Sequence, residues 1–274
     1  MIKLGLLGSD GSMGRLIGDL AIKDDDITII AAYTIPSSPN IGTDIGSLTG
    51  NKEQDVKIVS IDKLEDDLKD KEFDVFVDFT LADATEKYAP PIMKSGIPMV
   101  IGTTALSGDF MKRAQKLSEE KKIPLVISSN MAIGVNVVFK VAAELAKALE
   151  GWEVEIVEMH HHRKKDAPSG TAATILKNIA EARGLDVEKI AKYGRDKGPN
   201  PRKKGDDEIG VHAIRAGDIV GDHVILYAGN GERIELKHQA HSRSCFASGA
   251  IKAIKFVMEN KGKPKIYNMH DVLF

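Results

Sequence analysis

Residues 2–23 read IKLGLLGSDGSMGRLIGDLAIK. An apolar run over residues 2–7 ends in Gly8, glycines recur at positions 8, 11 and 14, and residues 13–23 are amphipathic. That order predicts a strand, a glycine turn and a helix. The spacing is G-x-x-G-x-x-G, a variant of the dinucleotide fingerprint. Glycines there permit a tight turn and bring the backbone close to a pyrophosphate at a helix N-terminus. The turn residues Gly8, Ser9, Asp10, Gly11, Ser12 and Met13 are therefore the first candidate contacts to a coenzyme.

The alternation continues outward from this unit. Residues 27–33 read as a strand, followed by a loop over 36–50 rich in proline, serine and glycine. Residues 73–79, 97–101 and 123–127 read as buried strands, with helices over 84–95 (interrupted near Pro90 and Pro91) and 110–122 between them. Apolar strands separated by helices predict a parallel sheet covered on both faces. Small and hydroxyl residues follow two of the strands, as Gly102-Thr103-Thr104 and Ser128-Ser129-Asn130. The C-terminal ends of strands are the ligand edge of such a sheet.

A long helix over 134–150 leads to a strand over 151–159, then to HHHRKK at 160–165, DAPSGT at 166–171 and a helix over 172–183. Residues 194–210 are loop-like. Beyond them, segments 211–215, 219–228 and 233–239 read as antiparallel strands, the last two joined by a Gly229-Asn230-Gly231 turn. A helix over 246–260 and a short element over 265–273 close the chain. The expected architecture is α/β. A Rossmann-type dinucleotide-binding domain (1–130 plus 244–274) carries an α+β domain (131–243) with a mixed, mostly antiparallel sheet. Apolar side chains alternate onto both faces of the last strands, which predicts an oligomer joined through that sheet.

Hydrophobic residues make up 42% of the 274 and the formal net charge is −2. This is a globular composition without the basic excess of nucleic-acid binders. The lone Cys245 excludes an internal disulfide framework and suits a reducing cytoplasm. Neither a signal peptide nor a membrane-crossing run is legible.

Within this mildly acidic chain, positive charge is concentrated at residues 160–165, between a strand end and a helix start. A helix N-terminus offers free amides and a positive dipole end, so the junction suits a small polyanion. A metal site is disfavoured, because neighbouring strand side chains point to opposite faces and only His160 and His162 could share an ion. A nucleic-acid patch would need wider basic surface and exposed aromatics. A solvated basic loop is the bland alternative. Against it, the Gly170 and Thr171 amides can hold a carboxylate. Crowded cations also lower one another's pKa, which would make Lys164 a better proton donor.

The stretch E-x-H-H-x-x-K-x-D-A-P-S-G-T-A at 158–172 resembles the signature of the 4-hydroxy-tetrahydrodipicolinate (dihydrodipicolinate) reductase family. Gly102-Thr103-Thr104, Asn130 with Gly134-Val135-Asn136-Val137, the run 215–221 and the closing Asp271-Val272-Leu273 are similar as well. The likeness runs from Gly8 to the end. It implies NADPH- or NADH-dependent reduction of 4-hydroxy-tetrahydrodipicolinate to tetrahydrodipicolinate with loss of water, in lysine biosynthesis by the diaminopimelate route. It also implies a cytoplasmic homotetramer, with neither nucleic acid nor membrane as partner and no metal. His160 and Lys164 match the family's proton-transfer groups; His161, Gly170 and Thr171 match contacts to the substrate carboxylates. Coenzyme contacts are implied for Gly8–Met13, Thr34, Gly102, Thr103, Thr104, Ser128, Ser129, Asn130 and Met131.

One departure concerns the nucleotide. Dinucleotide enzymes usually place an acid after the second strand, and this family often follows it with arginine; here Thr34 and Ile35 stand there. Thr34, Ser37 and Ser38 can hydrogen-bond a phosphate, which tilts the reading toward NADPH. A dehydrogenase acting on another amino-acid-derived substrate, or a regulator that binds the nucleotide without turnover, are the rival readings.

Overall fold

The computed structural model describes residues 1–203 and 205–274; Lys204, inside the expected loop, lies outside the described residues. The chain forms two compact units, Met1–Ile133 with Ser244–Phe274, and Gly134–Arg243.

In the first unit, β1 (Ile2–Leu7) leads through the glycine turn into α1 (Ser12–Ile22) and back into β2 (Ile27–Thr34). The region between residues 36 and 70 holds more structure than its composition suggests. Asp44 caps a short α2 (Ile45–Leu48), and β3 (Ile58–Ser60) and α3 (Leu64–Asp70) follow. Then come β4 (Val75–Asp78), α4 (Ala82–Lys94), β5 (Met99–Ile101), α5 (Gly108–Lys121) and β6 (Pro124–Ile127). Helix α4 runs through Pro90 and Pro91 without the expected interruption. Two prolines remove two helical donors, but Ala89, Pro90, Ile92 and Met93 are all buried there, and that packing holds the helix together.

The second unit opens with α6 (Ile133–Ala148), β7 (Glu153–His160) and α7 (Gly170–Ala182), then α8 (Val187–Ile190) and β8 (Ala191–Tyr193). It ends with β9 (Ile209–Arg215), β10 (Gly221–Ala228) and β11 (Arg233–Ala240). The sheet order is β11-β10-β7-β9-β8. It is mixed, as expected, but evenly so: β10 pairs antiparallel with β11 and β7, whereas β9 pairs parallel with β7 and β8. The antiparallel reading of 211–215 is thus corrected. The chain between β7 and β9 contains α7, a helical crossover of the kind that delivers the next strand parallel. Val138 and Ala142 of α6, Ile175 and Ile179 of α7, and Ile156, Ile225 and Tyr227 of the sheet make one core. The Tyr227 hydroxyl donates to the Ala142 carbonyl at 2.7 Å.

The chain then returns to the first unit through α9 (Ser244–Glu259), β12 (Lys265–Tyr267) and α10 (Met269–Leu273). The first sheet, parallel throughout, has the order β12-β6-β5-β4-β1-β2-β3. Its central strands are buried on both faces, so their runs are continuously apolar rather than alternating. Leu4, Leu6 and Val77 face one cluster with Ile17 of α1 and Ile254 of α9; Leu7, Phe76 and Met99 face the other with Ile92 of α4 and Phe110 of α5. Full burial of each such leucine stabilises by about 2 kcal/mol. A Cβ on Gly5 would fall within 2.3 Å of the Phe76 ring, so glycine is what lets that ring lie across β1.

Candidate functional site

At the C-terminal end of β1, Gly8 takes φ +67°, a conformation open to glycine but strained for other residues. The Gly11 amide donates back to the Gly8 carbonyl at 3.0 Å. A Cβ on Gly14 would lie 2.0 Å from that same carbonyl oxygen, so α1 presses against the turn. No side chain caps the helix at Gly11. A bare helix start over a glycine turn is a cradle for a pyrophosphate, and these residues fit a dinucleotide.

Other turn residues do structural tasks. Ser9 is fully buried, and its amide (2.9 Å) and hydroxyl (3.0 Å) both donate to the Tyr33 carbonyl, tying β1 to β2. Met13 packs on the apolar core. The Asp10 carboxylate accepts hydrogen bonds from the Thr34 and Ser38 hydroxyls and from the Asn40 side-chain amide at 3.3 Å. Burial opposes its ionisation, but the Ser38, Thr34 and Asn40 donors outweigh that and hold the carboxyl below the usual range. With Gly8, Gly11, Ile35, Leu81 and Tyr88, Asp10 lines a cavity of about 330 Å³.

The next strand ends carry hydroxyl groups. A Cβ on Gly102 would meet the Phe79 ring at 2.2 Å. The buried Thr103 hydroxyl accepts from Thr85 at 2.8 Å and from the Thr80 amide at 3.2 Å. Asp78 Oδ1 accepts from the Thr80 hydroxyl at 2.7 Å. Burial pushes the Asp78 carboxyl up, with the threonines working against it. Thr104 and Ser129 are exposed. Ser128 donates to the Asn130 carbonyl at 2.9 Å, and Asn130 Oδ1 accepts from the Ala132 amide at 3.0 Å. Met131 is 1% exposed and belongs to the core beside Ala247, so its side chain is committed to packing.

In the second unit, β7 places Val154, Ile156, Glu158 and His160 on its buried side. Glu158 is fully buried and collects four donors: both terminal nitrogens of Arg215 at 2.8 Å, His160 Nδ1 at 2.5 Å and the Ser169 amide at 3.0 Å. Arg215 stands directly opposite His160 in the β7–β9 register. Burial opposes ionisation of Glu158, and Arg215 first, then His160 and the Ser169 amide, carry it below the usual range. The Ser169 hydroxyl caps α7 at the Ala172 amide (3.1 Å) and meets His223 Nε2 at 3.2 Å. Gly170 and Thr171 form the first turn of α7, and a Cβ on Gly170 would meet nothing within 4 Å.

After His160 the chain turns along residues 215–219. The His161 amide donates to the Ile219 carbonyl at 2.7 Å, and His162 Nδ1 to the Gly217 carbonyl at 2.8 Å. Among the described residues His161 Nδ1 is buried without a hydrogen-bond partner. Crowding of cations bears on His161. Burial and then Arg163, His160, Arg243 and His162 lower the His161 pKa, whereas the Lys164 ammonium has a carboxylate beside it, Asp166 Oδ1 at 2.8 Å.

Arg215, Ser169 and His223 were given no role by sequence reasoning, nor was Glu158. The signal for Glu158 was its parity: it lies two and four residues beyond Ile156 and Val154, on the face that points inward.

A parallel sheet of Rossmann order with its glycine turn, joined to a unit carrying a buried carboxylate–histidine pair at a helix start, defines a two-unit α/β oxidoreductase. Residues 2–131 match the dihydrodipicolinate reductase N-terminus and residues 134–273 the dihydrodipicolinate reductase C-terminus. The chain is 43% identical over 273 residues to a 4-hydroxy-tetrahydrodipicolinate reductase of Methanothermobacter thermautotrophicus, covering 100% of this chain and 99% of the relative. It is 44% identical over 273 residues to that of Methanosarcina barkeri, with the same coverage. A dipicolinate-bound dihydrodipicolinate reductase from Paenisporosarcina sp. TG-14 superposes with TM-score 0.79 at 26% identity, covering 100% of both chains. The chain belongs to the dihydrodipicolinate reductase family.

Proposed function

We propose that the chain reduces 4-hydroxy-tetrahydrodipicolinate to tetrahydrodipicolinate with loss of water, using NADH or NADPH, on the diaminopimelate route to lysine. Full-length relatives carry this activity in their names, and the solved relative holds dipicolinate, a planar analogue of the dicarboxylate ring. The observation that carries the reading is the Glu158–His160 pair set at the start of α7, with the unpartnered His161 Nδ1 and Lys164 on the same turn.

The coenzyme, when bound, supplies the hydride; this chain's residues do the rest. In the first unit Gly8–Met13, Thr34, Gly102–Thr104 and Ser128–Met131 serve its binding. In the second, the amides of Gly170 and Thr171 in the first turn of α7 and the His161 ring hold the two carboxylates. Glu158 keeps a proton on His160 Nδ1, leaving Nε2 to exchange a proton with substrate. Lys164 supplies the proton that accompanies hydride addition.

The sheet face bearing Val157, Val224 and Leu226, opposite the helices, supports assembly into a homotetramer. No helix among the described residues is long and apolar enough to cross a membrane. A single cysteine and a biosynthetic role support a cytoplasmic site of action, with a small dicarboxylate rather than nucleic acid as partner.

The test follows absorbance of reduced nicotinamide with substrate generated in situ, and product mass. Oxidation of coenzyme with formation of tetrahydrodipicolinate is expected. Coenzyme binding without turnover would overturn the assignment in favour of a nucleotide-binding regulator.

A further inference from the structure

We propose that Asp10 makes this enzyme an NADH-preferring reductase: an acid delivered by the glycine turn of β1 serves the adenosine ribose hydroxyls and repels a 2′-phosphate. The inference rests on the reading that the first unit binds a nicotinamide dinucleotide.

The sequence places no acid after β2, and the hydroxyls of Thr34, Ser37 and Ser38 looked available to a phosphate. Two of the three are not. The Thr34 hydroxyl donates to Asp10 Oδ1 and the Ser38 hydroxyl to Asp10 Oδ2, so both protons are engaged by a carboxylate. Asn40 adds a third donor to the same group. The acid that dinucleotide folds usually place on β2 is therefore present at the end of β2, but it arrives from the neighbouring strand.

Its surroundings admit one sign of ligand. The cavity is lined by Gly8, Gly11, Ile35, Ser38, Leu81 and Tyr88 among others, and Asp10 is the only charged residue of that lining among the described residues. Among the described residues neither lysine nor arginine lines it, so a phosphate in the cavity would face the carboxylate with no cation in the wall beside it. Arg15 meets Asp10 at the main chain, its Nε donating to the Asp10 carbonyl at 2.9 Å. A carboxylate accepts and cannot donate, whereas a 2′-hydroxyl donates and a 2′-phosphate at neutral pH does not. Three donors hold the carboxylate in place, and a carboxylate has about four acceptor positions. The long Asn40 contact at 3.3 Å is the one a ribose hydroxyl would most readily replace.

The experiment uses the full chain without substrate and measures Kd for NADH and for NADPH by calorimetry, followed by kcat/KM with each. NADH should bind roughly tenfold or more tighter, since like charges a few ångströms apart at the protein surface cost more than the energy of one decade in affinity. Asp10→Asn, which keeps the shape and removes the charge, should move the NADH:NADPH ratio about tenfold or more toward NADPH. Asp10→Ser should move it the same way, and the wild-type ratio decides the matter even if neither variant folds. Wild-type preference for NADPH, or equal affinity, would overturn the proposal. So would a parallel loss of both affinities in the variants, which a merely structural brace predicts. NADH binding without turnover would sink the reaction and leave this inference standing; binding of neither nucleotide would overturn both.

Discussion

The Glu158 carboxylate lies 2.5 Å from His160 Nδ1 while both terminal nitrogens of Arg215 clamp it at 2.8 Å. An acceptor at Nδ1 fixes the imidazole tautomer, placing the hydrogen there and the lone pair on Nε2. A Cβ on Gly221 would sit 3.0 Å from that Nε2, so glycine keeps the far side of the ring clear. Glu158→Gln offers an amide that can donate to Nδ1 and favour the other tautomer. We expect kcat to fall by roughly 10²-fold. The weakened clamp on the part-buried Arg215 should cost about 2 kcal/mol of stability. Steady-state kinetics and urea denaturation check both, and full activity in a folded variant would remove Glu158 from the mechanism.

Lys164 stands beside Asp166 at 2.8 Å, in the second unit. If its ammonium delivers the proton, Lys164→Ala should lower kcat by roughly 10²- to 10⁴-fold and leave coenzyme Kd untouched. An interaction made only in the transition state affects turnover and spares ground-state binding. Equal turnover in variant and wild type contradicts the role.

Gly14 is fixed by sterics, independent of charge. A Cβ there would meet the Gly8 carbonyl oxygen at 2.0 Å and the Ser9 Cα at 2.8 Å, both main-chain atoms. Gly14→Ala must push α1 off the turn, at a cost of roughly 1–3 kcal/mol. Affinity for NADH and NADPH should fall together, in contrast to a change at Asp10. A thermal melt and the two Kd values test this; unchanged affinity for both would place the pyrophosphate elsewhere.

His223 makes stability depend on pH. It is 3% exposed on β10, and burial, then the neighbouring His160, depress its pKa to about 4; Glu158 raises it, His238 lowers it and Asp222 raises it. The unfolded chain therefore binds a proton that the folded one refuses between about pH 4 and 6.5. The stability from keeping this ring neutral is complete above the unfolded value and is lost as the pH falls through that window. It amounts to about 2 kcal/mol between pH 7 and pH 5. Urea denaturation of the wild type and His223→Asn at both pH values should show a smaller drop in the variant. Equal drops would assign the effect to other histidines.

The first unit was legible because its strands are continuous apolar runs with glycines at fixed offsets. Residues 2–7, 97–101 and 123–127 each contain the observed strand. Strand β3 escaped because Ile58–Ser60 is three residues long and follows a polar stretch, too short for any period to register. Partnership was the other blind spot. Residues 211–215 read as a strand, but whether it lies parallel to β7 depends on the crossover through α7.

The candidate site divides in the same manner. Glycine turns, the basic run and the helix start were visible because each is local. The Glu158–Arg215 clamp joins positions 57 apart, and the Asp10–Thr34 contact joins positions 24 apart. Neither leaves a trace in any window of sequence. At Met131, which the resemblance implies as a coenzyme contact, the side chain is packed in the core, a burial that the local sequence does not announce.

Edge strand β12 and helix α9, which cover and extend the first sheet, are encoded only after the whole of the second unit. On a ribosome, then, the N-terminal half emerges with Leu4, Leu6 and Val77 covered by α1 but not by α9, and must wait while the inserted unit is synthesised and collapses. Translation order thereby exposes a half-finished, greasy surface to chaperones, and a stop codon before Ser244 would release a chain whose leading sheet can never close.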